Sequence, residues 1–385
     1  MKIILAVNAI KPPLTGIGRY TWELANRIPS LPGIESVRFF SEGSWVKDIG
    51  ARLDQSPTKI AIRQRLLRSP MAVAAYRWLS PLLQRHRLRA LTDHLYHGTN
   101  FFLPPCAGPA IATIHDLSIF RCPQFHPPER VAFMQKEIPI ALSRANFLIT
   151  DSEFIRQEII EFFNWPKDKV RAVPLGFSEE YRPRGIDETV GVLGKFGLAF
   201  GGYGLCVATI EPRKNIGALL SAYEALPQFL RNRHPLVLAG AYGWRSEAIH
   251  RRIEQGQRQG WLRYLGYVSE ADLPLLFSGA RGFVYPSLYE GFGLPVLEAM
   301  ASGLPVLISN RSSLPEVTMG AALIVEAEEV QAITEGIRVL LEDDQWRDVA
   351  AKRSLTVAAH YSWDTTARKT VEIYRSVNND VFSSG

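Results

Sequence analysis

Short apolar runs of strand length alternate with helical stretches along almost the whole chain, and this rhythm restricts the fold more than any other feature. In the first half the strand-like runs are 2–7, 36–40, 95–97, 110–114, 147–150 and 170–173, with helical patterns at 19–27, 131–143 and 153–163. A second series follows: strands at 204–209, 236–239, 262–265, 282–285, 306–308 and 322–325, and a last helix at 364–377. Alternation of this kind implies doubly wound parallel sheets. A chain of 385 residues exceeds what one core usually fills, so two domains are expected. The chain repunctuates at Pro174-Leu175-Gly176-Phe177 and again at Arg182-Pro183-Arg184-Gly185, which places the boundary at 178/179. Between strands, 8–18 and 123–128 read as long irregular loops, the kind that carry binding residues.

Two segments of the second half carry chemistry. The run Glu290-Gly291-Phe292-Gly293-Leu294-Pro295-Val296-Leu297-Glu298 leaves a strand, makes a Gly-rich turn and enters a helix expected at 295–302. Backbone N–H groups at such a helix start suit a phosphate. A carboxylate accepting two hydrogen bonds suits sugar or ribose hydroxyls. The segment is therefore of a kind to hold a nucleotide-sugar, or it is a plain turn and surface helix with two solvated acids. The strand 205–210 runs into Glu211-Pro212-Arg213-Lys214-Asn215 and then a helix at 216–226. Two cations at the carboxyl end of a parallel strand sit where open α/β sheets bind ligands. Without an anion they would oppose the following helix's dipole.

Composition sets the context. The 46% hydrophobic content is that of a globular chain, and no stretch approaches the roughly 18 apolar residues of a membrane-spanning helix. Residues 1–7 read as a buried strand, not a secretory leader. Cys106, Cys122 and Cys206 have no metal-ligand spacing, which fits a reducing cytoplasm. The net charge of +6 is unevenly placed: from Gln55 to Thr92 there is no acid, but Lys59, Arg63, Arg65, Arg68, Arg77, Arg85, Arg87 and Arg89 alternate with apolar and aromatic residues. Such a segment suits an anionic membrane surface. A helix pair with its arginines facing water is the plain alternative. Nucleic acid is not expected as a partner, since no recognition motif accompanies the charge.

Together these residues resemble the retaining nucleotide-sugar glycosyltransferases of family 4. The resemblance rests on V-A-T-I-E-P-R-K-N at 207–215 and Y-P-S-L-Y-E-G-F-G-L-P-V-L-E-A-M-A-S-G-L-P-V at 285–306, with Val237-Leu238-Ala239-Gly240 and Leu265-Gly266-Tyr267-Val268 between them. Thr15-Gly16-Ile17-Gly18-Arg19-Tyr20 fits the family's glycine loop and Thr113-Ile114-His115-Asp116-Leu117 its mid-domain histidine strand. The resemblance implies the GT-B fold: α/β, two Rossmann-like parallel-sheet domains facing across a cleft that holds the active site. The first, 1–178, would bind the acceptor, with the terminal helix crossing back to it, and the second, 179–363, would bind the donor.

By the same resemblance Glu298 takes the donor ribose, Glu290 faces the transferred sugar, and the amides of Gly291, Phe292 and Gly293 approach sugar and phosphate. Val268 contacts the base. Gly16 and Gly18 close over the diphosphate from the first domain, although Thr21 at the third position rules out a dinucleotide fingerprint. Lys214 and Arg213 neutralise the departing diphosphate. Many relatives carry a further arginine six positions before the lysine, where this chain has Ala208, so either Arg213 supplies the second charge or the neutralisation is weaker. His115 hydrogen-bonds the donor sugar or a catalytic-site hydroxyl, and Asp116 contacts the acceptor. With Glu290, His115 and Lys214 as catalytic residues and no D-x-D in the sequence, no metal and no cofactor are expected. The E-P-R-K-N variant most resembles mannosyl- and rhamnosyl-transferring members, which use GDP-mannose or GDP-rhamnose.

The expected reaction is retaining transfer of a hexose onto a lipid-linked (undecaprenyl-type) glycan in lipopolysaccharide or O-antigen assembly. It would take place in the cytoplasm, peripherally on the inner face of the cytoplasmic membrane. Nucleotide-sugar 2-epimerases of the same fold and a non-catalytic nucleotide-sugar binding protein are the alternatives. Donor turnover without acceptor would favour the first, and the intact Lys214, Glu290 and Glu298 argue against the second.

Overall fold

The computed structural model describes residues 1–53 and 83–382 and divides into two compact units. The first comprises Met1–Asp116, Phe133–Leu175 and Trp363–Gly385, and the second Leu117–Ala132 and Gly176–Ser362. Along the chain the units change over at 175/176 and again at 362/363. Residues 117–132 precede the boundary in sequence but group with the second unit, because Trp244, Arg245 and Tyr289 hydrogen-bond to that segment's backbone.

The first unit holds a seven-stranded sheet built from β1 (Lys2–Ala6), β2 (Ser36–Ser41), β3 (Ser44–Val46), β4 (His94–Gly98), β5 (Ala110–Ile114), β6 (Phe147–Thr150) and β7 (Val170–Ala172). Their order is β3-β2-β1-β4-β5-β6-β7. All neighbours pair in parallel except the short edge hairpin β2/β3, whose second strand is too brief to register as a hydrophobic period. Ile3, Ile4, Leu5, Ile111, Ala112 and Leu148 are all but fully buried, as both faces of a parallel sheet require. The terminal helix Trp363–Phe382 packs in this unit through Tyr374 to His97 (2.6 Å), Thr366 to the Pro174 carbonyl (2.8 Å) and Asp364 to Arg27 (2.7 Å).

The second unit holds β8 (Gly204–Val207), β9 (Leu236–Ala239), β10 (Leu262–Tyr264), β11 (Gly282–Tyr285), β12 (Val306–Ser309) and β13 (Leu323–Val325), all parallel, in the order β10-β9-β8-β11-β12-β13. Strand order reverses at β1/β4 in one sheet and at β8/β11 in the other. In open α/β sheets ligands bind outside the carboxyl ends of strands at such switch points. Both motif segments of the second half leave the sheet at the β8/β11 switch.

One expectation changes. Residues 8–18 are not loop throughout: a helix runs over Gly16–Arg27, started by Thr15, whose hydroxyl accepts the Gly18 N–H at 3.3 Å. The acid-free basic stretch 55–92, expected on a membrane surface, falls largely on residues 54–82, outside the described ones. Within its remainder, Arg85, Arg87 and Arg89 are exposed and Leu88 is buried. Among the described residues no helix is long and apolar enough to cross a membrane.

Candidate active site

At the β8 exit the chain makes a tight 3-10 turn over Pro212–Lys214 and passes Asn215 in the left-handed region (φ 57°) before the helix Ile216–Ala225. Asparagine suits this position because it tolerates that backbone. Its side-chain amide also donates to the carbonyls of Pro286 (3.1 Å) and Ala327 (2.7 Å). The β8 turn is thereby tied to the β11 exit. Ser287, Leu288, Tyr289 and Glu290 then fold back over Arg213, with Leu288 N–H donating to the Arg213 carbonyl at 2.9 Å.

This folding back creates a buried ion cluster. Lys214 Nζ donates to Glu290 Oε1 at 2.6 Å and to the Tyr285 hydroxyl at 2.8 Å. Arg213 reaches Glu290 Oε2 at 3.3 Å, the Tyr289 carbonyl at 2.5 Å and Glu211 Oε1 at 2.8 Å. Ser287 Oγ donates to Glu290 Oε1 at 2.6 Å. Glu290 is only 6% exposed. Burial alone would raise its carboxyl, but the adjacent Lys214 and Arg213 outweigh it and hold Glu290 down at about 2. Burial lowers the Lys214 ammonium, Arg213 adds to that, and Glu290 opposes both. Burial beside Glu290 pushes the Tyr285 phenol up. Two acids and two bases thus balance in a dry setting, where loss of one partner is far costlier than at a surface.

The rest of the E-x7-E segment follows from Glu290. Its N–H donates to Ser312 Oγ (2.8 Å), and its carbonyl accepts from Ser313 Oγ (3.0 Å). Gly291 is buried, and Phe292 packs edge-on against Tyr361. Gly293 starts the helix Leu294–Ala301 with φ +96°, and a Cβ there would meet the Leu314 side chain at 2.6 Å, so both backbone and space demand glycine. Glu298 is half-buried in that helix. Val268 is buried in the β10 exit loop, which is bound to the β9 exit by Gly240 N–H to the Gly266 carbonyl at 2.7 Å. Ala208, at the position of the missing arginine, is buried.

In the first unit His115 and Asp116 leave β5, and Gly16 and Gly18 begin the first helix. Gly16 is exposed with open space beside it, whereas Gly18 is buried with room for no side chain: a Cβ would meet the Ala9 carbonyl oxygen at 2.9 Å. His115 lies between Asp151 Oδ2 (2.7 Å, on Nδ1) and the Thr99 carbonyl (2.8 Å, on Nε2). A carbonyl only accepts, so Nε2 carries a proton. A second proton is then shared between Nδ1 and Asp151. Burial works against the charged imidazole, but Asp151, Thr99 and Asp116 together raise it above 6.5. Asp151 itself is raised, by burial first. The sequence reading has His115 hydrogen-bonding a donor sugar or a catalytic-site hydroxyl. In this structure both ring nitrogens are engaged by the protein, Nδ1 by Asp151 and Nε2 by the Thr99 carbonyl. Asp116 is half-buried nearby.

Arg213 and Lys214, assigned from sequence to the diphosphate, are both in direct contact with Glu290, assigned to the sugar. Glu211, Tyr285, Ser287 and Asn215 complete the cluster, and none of them was singled out from sequence. The available signal was their place in the two motif segments, Glu211 and Asn215 flanking Pro-Arg-Lys and Tyr285 and Ser287 preceding Glu290.

Comparison with known proteins agrees with this architecture. Residues 203–355 match the family described as glycosyl transferases group 1, and residues 14–181 match glycosyltransferase family 4. The GT-B fold recurs in WaaG, a glycosyltransferase involved in lipopolysaccharide biosynthesis (TM-score 0.71, 16% identity, 96% of this chain and 99% of that one). It recurs also in Anabaena HepE in complex with UDP and glucose (TM-score 0.71, 16% identity, 98% and 100%). Twin doubly wound sheets with a basic-acidic cluster at the second switch point are those of a GT-B glycosyltransferase. The O-antigen chain mannosyltransferase B of Escherichia coli is 45% identical over 379 residues, covering 97% of this chain and all of that protein. The E. coli serotype-specific mannosyltransferase WbdA is 34% identical over 235 residues, 60% of this chain and 28% of WbdA. The chain belongs to glycosyltransferase family 4.

Proposed function

We propose that this glycosyltransferase moves a mannosyl residue from GDP-mannose onto a lipid-linked, undecaprenyl-type glycan in O-antigen assembly. The transfer retains the anomeric configuration and needs no metal ion. GDP-rhamnose is the second donor to test. The observation that carries the reading is the buried Lys214–Glu290 contact of 2.6 Å with Arg213 beside it, at the carboxyl end of β8 and β11. The named mannosyltransferase relative supports the choice of sugar.

In this reading the acceptor hydroxyl oxygen bonds to the anomeric carbon as the carbon–phosphate oxygen bond breaks. The hydroxyl proton passes to the departing diphosphate, and GDP leaves. Lys214 and Arg213 neutralise the charge growing on the leaving oxygen, which is the usual large electrostatic contribution. Glu290 meanwhile exchanges part of its hold on Lys214 for hydroxyls of the sugar. Gly291 to Gly293 offer backbone N–H groups, Glu298 takes the ribose, and Val268 lies against the base. The basic stretch 55–92 holds the enzyme on the anionic inner face of the cytoplasmic membrane, close to the lipid-linked acceptor.

The test is a donor screen by mass spectrometry with GDP-mannose, GDP-rhamnose and UDP-glucose, with and without acceptor and with and without chelator. Acceptor-dependent release of GDP from GDP-mannose is expected in every chelator arm, with an α-linked product by NMR. Turnover of UDP-glucose with GDP-mannose inert, epimerisation without acceptor, or loss of all activity in chelator would overturn the corresponding part. Co-sedimentation with anionic vesicles that ignores salt would count against the membrane assignment.

A further inference from the structure

Residues 117–132 form a strap bound to the second unit chiefly through its main chain. Trp244 Nε1 donates to the Phe125 carbonyl at 2.8 Å, and Arg245 donates to the carbonyls of Gln124 (2.6 Å) and His126 (3.3 Å). The Arg130 guanidinium lies 5.0 Å over the Trp244 ring, and the buried His126 ring packs 5.8 Å from it. His126 Nε2 is 3.0 Å from Ser118 Oγ, so the strap is braced internally as well. At its start, Leu117 N–H donates to the Tyr289 hydroxyl at 3.2 Å. Tyr289 immediately precedes Glu290, and its own carbonyl accepts from Arg213 at 2.5 Å.

The clamp joins the ion cluster from the other side too. Ile210 N–H donates to the Ala241 carbonyl (3.0 Å), and Gly243 N–H donates to the Ile210 carbonyl (3.1 Å), so the loop carrying Trp244 is zipped to the residue before Glu211. Any Cβ at Gly243 would meet the Ile210 carbonyl oxygen at 2.4 Å, which keeps that approach close. Arg245 has φ +54°, a backbone conformation that a side-chain-bearing residue adopts at a cost and keeps only when its surroundings hold it there.

The geometry points to Trp244 and Arg245 as positioning residues: they pin the 117–132 strap to the second unit, and the strap, through Leu117 and Tyr289, fixes the turn that presents Glu290 to Arg213 and Lys214. Neither touches the reacting atoms. This inference rests on the activity proposed above only for its kinetic arm, since strap release is measured separately.

The experiment uses the full-length chain as wild type, Trp244→Ala, Trp244→Phe and Tyr289→Phe. Hydrogen exchange is read at the Leu117 amide, trypsin cleavage at the exposed Arg121, GDP affinity by titration, and turnover with whichever donor the wild type uses. In Trp244→Ala the Leu117 amide is expected to exchange on the order of tenfold faster. Its kcat should fall by about tenfold, with GDP affinity held within about twofold. Trp244→Phe, which keeps a ring but loses the N–H, should fall between. Tyr289→Phe removes one oxygen from a buried ring, so it folds even if Trp244→Ala does not. It should speed Leu117 exchange and lower kcat while leaving Arg121 protected. A released strap with unchanged kcat in either variant, or lost kcat with Leu117 exchange unchanged, overturns the inference. A wild type that turns over no nucleotide-sugar defeats the functional reading instead.

Discussion

Replacing Glu290 by glutamine isolates what the buried cluster contributes. The carboxylate accepts from Lys214 and Ser287 at one oxygen and from Arg213 at the other. Glutamine offers one acceptor and turns an NH2 toward a cation. Lys214 would keep only Tyr285 of its hydrogen-bond acceptors in the cluster, whereas Arg213 would retain Glu211 and the Tyr289 carbonyl. Folding moves the Glu290 carboxyl from 4.5 to about 2. At about 1.4 kcal/mol per pH unit this is worth roughly 3 kcal/mol, within the range for breaking a buried ion pair on one side. Because the folded carboxyl is depressed, that stability is present in full above 4.5 and is lost as pH falls toward 2. About 1 kcal/mol of it should be gone by pH 4. Urea unfolding of wild type and Glu290→Gln, read by tryptophan fluorescence between pH 7 and 4, makes the comparison. Trp261, 1% exposed and stacked with Tyr223, reports on the second unit. The gap between the two proteins should be widest at pH 7 and narrow on acidification. A variant within about 0.5 kcal/mol of wild type at pH 7, the range of an ordinary surface change, would refute the coupling. So would a gap that does not change with pH.

Three further outcomes follow from the same geometry. Lys214→Ala should lower kcat on the order of 10²-fold, as for loss of one transition-state electrostatic contact, and steady-state kinetics showing a pure KM effect would contradict this. Glu298→Ala should weaken GDP binding about tenfold by calorimetry, as expected for a charged hydrogen bond to ribose, while Glu290→Ala leaves it nearly intact; equal losses would remove the division of roles. Asp151→Asn should bring the His115 titration, seen by imidazole NMR, from above 6.5 to below it, because burial opposes the charged ring and Asp151 is the chief group that raises it. The stability this pair contributes in the wild type is present below 6.5 and fades as pH rises through the raised value, so Asp151→Asn should flatten that limb of the stability profile.

Much of the architecture was legible because local chemistry and the final sheet demand the same thing. Parallel strands covered on both faces must be short and apolar. Strands β5, β6, β9 and β11 accordingly coincide with the runs read from the sequence. Gly293 was marked as a turn residue, and its +96° φ and contact with Leu314 explain why. The sequence by itself determined two α/β sheets, the place where ligand-type residues leave them, and the residue types available there. Tertiary structure decided which of those residues meet. Arg213 and Glu290 are 77 positions apart and touch only because β8 and β11 are neighbours at the point where strand order reverses. His115 and Asp151, on the neighbouring strand exits of β5 and β6, satisfy each other for the same reason. No spacing along the chain records that 117–132 joins the second unit, since its anchors Trp244 and Arg245 lie more than a hundred residues away and grip backbone carbonyls that every residue possesses. Periodicity and composition report what each segment needs to bury. Which partner satisfies a buried charge or carbonyl is set by the packing of distant elements, and that is where this protein's site was made.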